Sequence, residues 1–390
     1  QTISSINDVL WSYVMIYALI ACALYFTIRT RFAQFRLVGD MFRQLFASGR
    51  SSEESKGKKR ISSFQAFAVS LASHVGVGNL AGVASAVSIG GPGAVFWMWV
   101  IAFLGMATIY AEAVLAQDSR ITDANGEIHG GPVYYIKKAF SGKFGKFLAG
   151  FFAVAIILAL GFMGSMVQSN SIAESVNSAI PAIPGWVVGA VVAAIAAFIF
   201  IGGIQRIASV TEKLVPVMAL LYIIGSLIVL CINIVDLPAA FGMIFKYAFT
   251  PNALIGGGIG YALKTAISQG AKRGLFSNEA GMGSAPNAAA IADTSHPVKQ
   301  GLIQALGVFT DTLIICTCTA FIILFSGVPL TGDINGVQLT QNALSSEVGN
   351  FGSIFVAIAI LFFAYSSIIG NYYYGEANVR YITKNKTIMT

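Results

Sequence analysis

Nine stretches of this chain stay apolar for roughly the 20 residues that a helix needs to cross a hydrocarbon core. They cover residues 8–30, 63–91, 94–117, 147–176, 185–204, 214–235, 254–292, 299–327 and 351–383. That core offers no water to a free N–H or C=O, so each stretch must close its backbone hydrogen bonds within itself and become a helix. Composition agrees: 11% of residues are charged and the mean hydropathy is +0.74, where a soluble domain has about 25% charged residues. The expected fold is an all-α polytopic membrane protein, and the segments at 63–91 and 254–292 are overlong and rich in glycine.

Basic charge sets the orientation. The net charge of +7 is not spread as a nucleic-acid surface; Arg29, Arg31, Arg36, Arg43, Arg50, Lys56, Lys58, Lys59 and Arg60 crowd one loop. The positive-inside rule makes that loop cytoplasmic. Alternation then places inside the loop 118–146 with Arg120, Lys137, Lys138, Lys143 and Lys146, the turn near Arg206 and Lys213, and the tail with Arg380, Lys384 and Lys386. Loops 177–184 and 328–350 carry no Lys or Arg, and Lys246 is the exception outside. Nine crossings with an outward N-terminus follow, with no cleaved signal before the first. In the first loop Phe35, Val38, Phe42, Leu45 and Phe46 recur at helical spacing opposite Arg36, Asp40 and Arg43, the pattern of a helix lying in the interface. Gly130, Gly131 and Pro132 mark a re-entrant stretch or a cytoplasmic turn. Cys22, Cys231, Cys316 and Cys318 all fall in apolar segments, where cysteine is a small buried hydrophobe and implies neither a disulfide nor a metal.

Two of the segments are expected to break. The second carries Gly76, Gly78 and Asn79, poor helix formers at membrane depth. The seventh carries Lys272, Arg273 and Glu279 among Gly281 and Gly283, and charges there cannot be left facing lipid. The second runs outward and the seventh inward, five spans apart, which is the signature of two inverted five-helix repeats that each open with a broken helix. Half-helix N-termini attract an anionic group and half-helix C-termini a cation, so a zwitterion and a hard cation such as Na⁺ fit between them. The organisation expected is one transmembrane transporter domain. It has an extra helix and basic loop over residues 1–61, a first repeat over 62–236 and a partial second repeat over 254–390. Two helices would be missing from that second repeat, so the chain reads as a fragment unable to transport alone.

The run Arg273-Gly-Leu-Phe-Ser-Asn-Glu-Ala-Gly-Met-Gly-Ser284 resembles the prokaryotic sodium:alanine (glycine, glutamine) symporter family, in the amino acid, polyamine and organocation superfamily with the leucine-transporter fold. Gly76-Val-Gly-Asn79, Gly90-Gly-Pro-Gly-Ala-Val-Phe-Trp-Met-Trp99, Asp311-Thr312 and Tyr372-Tyr-Tyr-Gly-Glu376 support it, and the resemblance covers nearly the whole chain. It implies Na⁺-coupled import of a small neutral amino acid by alternating access across a prokaryotic inner membrane, with an extra helix ahead of a ten-helix core and no cofactor. Carried over, it places the substrate against Gly76, Gly78, Asn79, Gln168, Phe276, Gly281 and Gly283. It places sodium against carbonyls near Ala72 and Val75 and the hydroxyls of Ser366 and Ser367. This chain departs from the pattern at Val77, where many members have Thr or Ser, and at Asn371, where many have Trp.

Single polar residues admit blander roles. Gln168 could hold a neighbouring helix instead of a ligand. Glu112 and Asp311 are expected to be structural acids paired with Lys272 or Arg273. His74, next to the expected cation ligands, would make transport pH-dependent if it titrated, though a satisfied interior histidine is the ordinary reading. A proton-coupled transporter of the same fold is the alternative within the class. An intramembrane hydrolase would need a catalytic pair or H-E-x-x-H, and His74, His129 and His296 fit none; a channel would not need two helix breaks around one central site. Asn371 in place of an indole widens the expected pocket and adds a polar contact. Asn371→Trp should therefore narrow competition towards alanine and glycine; unchanged relative inhibition by glutamine and alanine would remove position 371 from the pocket.

Overall fold

The computed structural model describes residue 7 and residues 10–51, 61–123, 126–249, 259–330 and 336–383. Lys56, Lys58, Lys59 and Arg60 of the basic loop, and Lys384 and Lys386 of the tail, lie outside them. A π turn, Leu10–Met15, leads into α1, Ile16–Arg29, and a short turn leads into α2, Val38–Ser51. The first broken span is α3, Ser63–His74, followed by the π turn Gly78–Gly82 and α4, Val83–Gly90. There follow α5, Gly93–Asp118; α6, Pro132–Ala139; α7, Gly142–Ala179; α8, Gly185–Phe200; α9, Gly203–Ile232; and α10, Leu237–Phe249. The second broken span is α11, Ile259–Asn278, with α12, Ala285–Ile291; then come α13, Pro297–Phe325, α14, Gly336–Val348, and α15, Asn350–Ile382.

Five of these, α5, α7, α9, α13 and α15, are long and apolar enough to cross a membrane, and α3 with α4 makes a sixth, bent by 49°. The other predicted spans are shorter apolar helices, α1 and α8, or the charged α11 followed by the seven-residue α12. They fall short of roughly 20 apolar residues in one run. Phe147, Phe151, Leu158 and Phe162 stand on one face of α7, each more than half exposed; an apolar stripe that long belongs against lipid.

The start of the first broken span and the end of the second meet. Ser62 caps α3, accepting the Gln65 N–H at 3.1 Å while the Gln65 side chain accepts the Ser62 N–H at 3.0 Å, which satisfies two free donors of the first turn. The strand before it, β1, Ile61–Ser62, pairs with β4, Ala292–Asp293, directly after α12. Span 63–90 therefore departs from the end at which span 259–291 arrives, so the two run in opposite senses. The same end holds a small hairpin, β2, Ile121–Thr122, with β3, Ile128–His129, after which Gly131 turns the chain at φ 114° into the amphipathic α6. Gly130 to Pro132 is thus a turn at the basic end. Arg120 donates to the Ala292 carbonyl at 2.8 Å, and Arg380 reaches Glu127 at 3.8 Å, tying the loops of that end together. The expected interfacial helix is α2, whose Met41 is buried while Phe46 is exposed. The four cysteines are free, with Cys22 and Cys231 exposed rather than buried.

α5 and α11 lie backbone to backbone. A Cβ at Gly270 would stand 2.7 Å from the Trp97 Cβ and overlap the Ala94 carbonyl, so neither helix can move aside without losing the contact. Gly270→Val should destabilise the protein by about 1–3 kcal/mol, seen as a lower unfolding temperature in detergent. An unchanged transition would mean the two helices are not held at this spacing.

Candidate functional site

At the first break α3 ends at His74, and Val75 leaves the helix at φ −80° and ψ 89°. The carbonyls of Ala72 and Val75 lose their helical partners there and turn towards α15. Ser366 Oγ lies 3.1 Å from the Ala72 carbonyl, 3.5 Å from that of Val75 and 2.8 Å from that of Phe363. Ser367 Oγ lies 3.1, 3.2, 3.4 and 3.0 Å from the carbonyls of Ala72, Ser73, Val75 and Phe363. Both serines are fully buried. Two hydroxyl protons face four carbonyl oxygens, and the shortest contacts return each hydroxyl to Phe363 on its own helix, the usual habit of helical serine. Lone pairs of Ala72 and Val75 then face lone pairs of the serines with no proton between them. That arrangement suits a small hard cation bound by neutral oxygens. Ala72, Val75, Ser366 and Ser367 are thus brought together. The sequence reading missed the carbonyls of Ser73 and Phe363, whose only signal was that one lies in the broken segment and the other one turn before the serine pair.

One residue on, the Gly76 N–H is capped by Asn79 Oδ1 at 2.8 Å, and the Val77 N–H donates to Gln168 Oε1 at 3.1 Å. A Cβ at Gly76 would overlap Ser367 Oγ and stand 3.1 Å from both polar atoms of the Gln168 amide, so Gly76 keeps the cation cluster and Gln168 in one place. A Cβ at Gly78 would meet Ser277 Cα at 3.2 Å and Phe276 Cδ1 at 3.4 Å, which joins the first break to the last turn of α11. Phe276 itself is 41% exposed and free to cover that junction. Asn371 is buried, with its Oδ1 3.1 Å from Ser73 Oγ and its amide nitrogen beside Gly164. Gly164 closes the π-helical turn Ile157–Gly164 of α7, four residues before Gln168. Gly281 and Gly283 lie apart from this group. With φ of 89° and 75° they form the second break, where Gly281 faces Leu19 of α1 and Gly283 faces Phe152 and Pro132.

The expected pairing of acids with Lys272 or Arg273 is absent among the described residues. Asp311, fully buried in the π turn Phe309–Cys316 of α13, accepts from Asn79 Nδ2 at 2.6 Å, Ser277 Oγ at 2.9 Å and Thr312 Oγ1 at 2.8 Å. It ties the two breaks through neutral donors alone. Glu112 accepts the Gly281 N–H at 3.2 Å. The positive-φ turn at the second break points the Gly281 amide, rather than a cation, at Glu112. His74 also departs from the satisfied reading: it is buried, and among the described residues neither ring nitrogen has a partner, nor do the side chains of Gln300 and Gln304 on α13.

The sequence profile of the sodium:alanine symporter family matches residues 1–390. The chain is 46% identical over 383 residues to the probable sodium/glutamine symporter GlnT of Bacillus subtilis (strain 168), covering 98% of this chain and 77% of that protein. It is 48% identical over 381 residues to the amino-acid carrier protein AlsT of the same organism, covering 98% and 78%. It is 41% identical over 390 residues to the sodium/alanine symporter AgcS of Methanococcus maripaludis, covering 99% and 84%.

Asn79 both caps the first break and donates to Asp311. Asn79→Ala leaves a buried N–H and a buried carboxylate each short of a partner and should cost about 1–3 kcal/mol. A thermal unfolding midpoint equal to wild type would show that Asn79 is not what holds the break.

Proposed function

The chain belongs to the sodium:alanine symporter family, and on that premise we propose that it imports a small neutral amino acid with Na⁺ by alternating access between inverted repeats of the leucine-transporter type. The family consists of integral membrane transporters, not enzymes, which use sodium as coupling ion and no cofactor. Within the proposal, residues 1–61 are an extra helix and loop, 62–236 the first repeat and 254–390 part of the second. The basic end is cytoplasmic, the N-terminus outside, and the membrane the inner membrane of a prokaryote.

One observation carries the reading: four carbonyls and two serine hydroxyls converge between α3 and α15 with too few protons to satisfy them. Sodium there neutralises the facing lone pairs and binds α3 to α15. The substrate lies beside it, against Gly76, Gly78, Asn79, Gln168 and Phe276, with Gly281 and Gly283 letting the second span unwind and Asn371 walling the pocket. Its carboxylate takes over the Gly76 and Val77 N–H groups that Asn79 and Gln168 hold in its absence. Relatives named for glutamine and for alanine bracket the side chain accommodated. Asn371, smaller than an indole, favours the larger end, although one methylene discriminates by only about 1–3 kcal/mol.

Ser367→Ala deletes one sodium ligand and should raise the Na⁺ concentration for half-maximal uptake about tenfold, a loss of about 1.4 kcal/mol. Uptake that persists equally when Na⁺ is replaced by K⁺ or choline, driven by a proton gradient, would favour the proton-coupled alternative.

A further inference from the structure

Ser73 belongs to two sites at once. Its carbonyl lies 3.2 Å from Ser367 Oγ in the oxygen cluster, while its hydroxyl lies 2.7 Å from Glu279 Oε1 and 3.1 Å from Asn371 Oδ1. The other Glu279 oxygen accepts from Ser284 Oγ. Glu279 is a non-glycine residue at φ 54°, buried, immediately after the end of α11. The left-handed backbone turns its side chain away from the line of its own helix and onto α3. No basic side chain pairs with it among the described residues, and the charged groups that act on it, Asp311 and Glu112, are acids as well. An ionised carboxylate at this depth, with only neutral donors, calls for a cation.

The surroundings provide more oxygen than hydrogen bonding uses. Tyr374 is fully buried, and among the described residues neither its hydroxyl nor that of Ser70 has a hydrogen-bond partner. Ser70 and Ser73 stand three apart on α3; Ser367, Asn371 and Tyr374 stand four and three apart on α15, so each set lines one face of its helix. The two faces form a polar seam that starts at the oxygen cluster and descends along α15. That helix then enters the wall of a cavity of about 340 Å³ at the basic end, through Tyr373, Glu376 and Arg380.

We propose that Glu279, with the oxygens of Ser70, Ser73, Ser284, Asn371 and Tyr374, forms a second sodium site in series with the first, through which the ion leaves towards the basic end. This rests on the sodium-coupled reading above. A proton would need one acceptor only, whereas the unpartnered hydroxyls of Ser70 and Tyr374 are ligands that a metal cation uses. Sodium moves from carbonyls and hydroxyls to a carboxylate with the Ser73 residue common to both, and Ser73 need only turn its hydroxyl. No bond is made or broken.

The test uses the full-length protein in liposomes with labelled alanine and radioactive sodium. Glu279→Gln keeps the shape and removes the charge; alanine binding at saturating Na⁺ should stay within about twofold of wild type while alanine-dependent sodium entry slows about tenfold. Tyr374→Phe should slow sodium entry several-fold with binding kept, and it decides the matter if Glu279→Gln does not fold. Sodium entry within twofold of wild type in both variants overturns the site. So does a loss of alanine binding in step with uptake in both, which would place these residues in the first site. An internal pH change that accompanies uptake in wild type and vanishes in Glu279→Gln would make Glu279 a proton carrier and likewise overturns the proposal. Wild-type uptake that needs no sodium is a different failure, that of the coupling reading itself.

Discussion

A bilayer withholds water from the backbone, and the rest of this structure follows from the two places where the chain defies that rule. Elsewhere the N–H and C=O groups close within helices, and the sequence has only to supply apolar side chains. At Val75 to Gly78 and at Glu279 to Ser284 the helical bonds lapse, and each orphaned group needs a partner of another kind. Asn79 and Gln168 take amides of the first break, Asn278 Oδ1 takes the Ala280 N–H at 3.1 Å, and Glu112 takes the Gly281 N–H. The carbonyls of Ala72 and Val75 are left facing the oxygens of Ser366 and Ser367.

This also explains what the sequence could and could not reveal. Helix breaks at Gly76 and Gly281 are legible because glycine, asparagine and charge coincide in apolar surroundings, a combination that has few reasons to exist in a packed helix. The opposite sense of the two broken spans is legible from counting, and the pairing of Ile61 with Ala292 bears it out. Carbonyl ligands are not legible, since Phe363 and Ser73 contribute main-chain oxygens that any residue would possess. The partners of Asp311 were misread for a related reason. Charge composition suggests Lys272 or Arg273 as counter-ions, but the π turn at Phe309–Cys316 aims Asp311 at hydroxyls and an amide instead. Among the described residues five helices, and α3 with α4 as a sixth, are long and apolar enough to cross a membrane, because glycine, proline and charge divide the other apolar segments into shorter helices.

π-helical turns occur at Gly78–Gly82, Ile157–Gly164 and Phe309–Cys316, each bordering the site. Widening a helix by one residue re-aims the side chains beyond it and frees carbonyls. Gly164 sits at the end of one such turn beside Asn371, Gln168 lies just after it, and Asp311 lies within another. The site is therefore set where three helices are locally irregular and two are broken, all of them held by rigid neighbours such as α5 against α11.

The proposed alternation needs a contact that sodium can make or release cheaply. A site formed by neutral oxygens from α3 and α15 meets that need, because without the ion the facing lone pairs repel and with it they attract; occupancy changes the sign of the contact. A carboxylate in the same position would hold the ion more firmly but, once emptied, would leave a full charge buried between the moving elements, which is far costlier than unpaired dipoles. It is then consistent that the carboxylate of Glu279 stands on the hydroxyl side of Ser73 rather than on its carbonyl side. There its charge draws the ion away from the first cluster without taking part in the hinge contact, so that binding strength and release are assigned to different oxygens of the same serine.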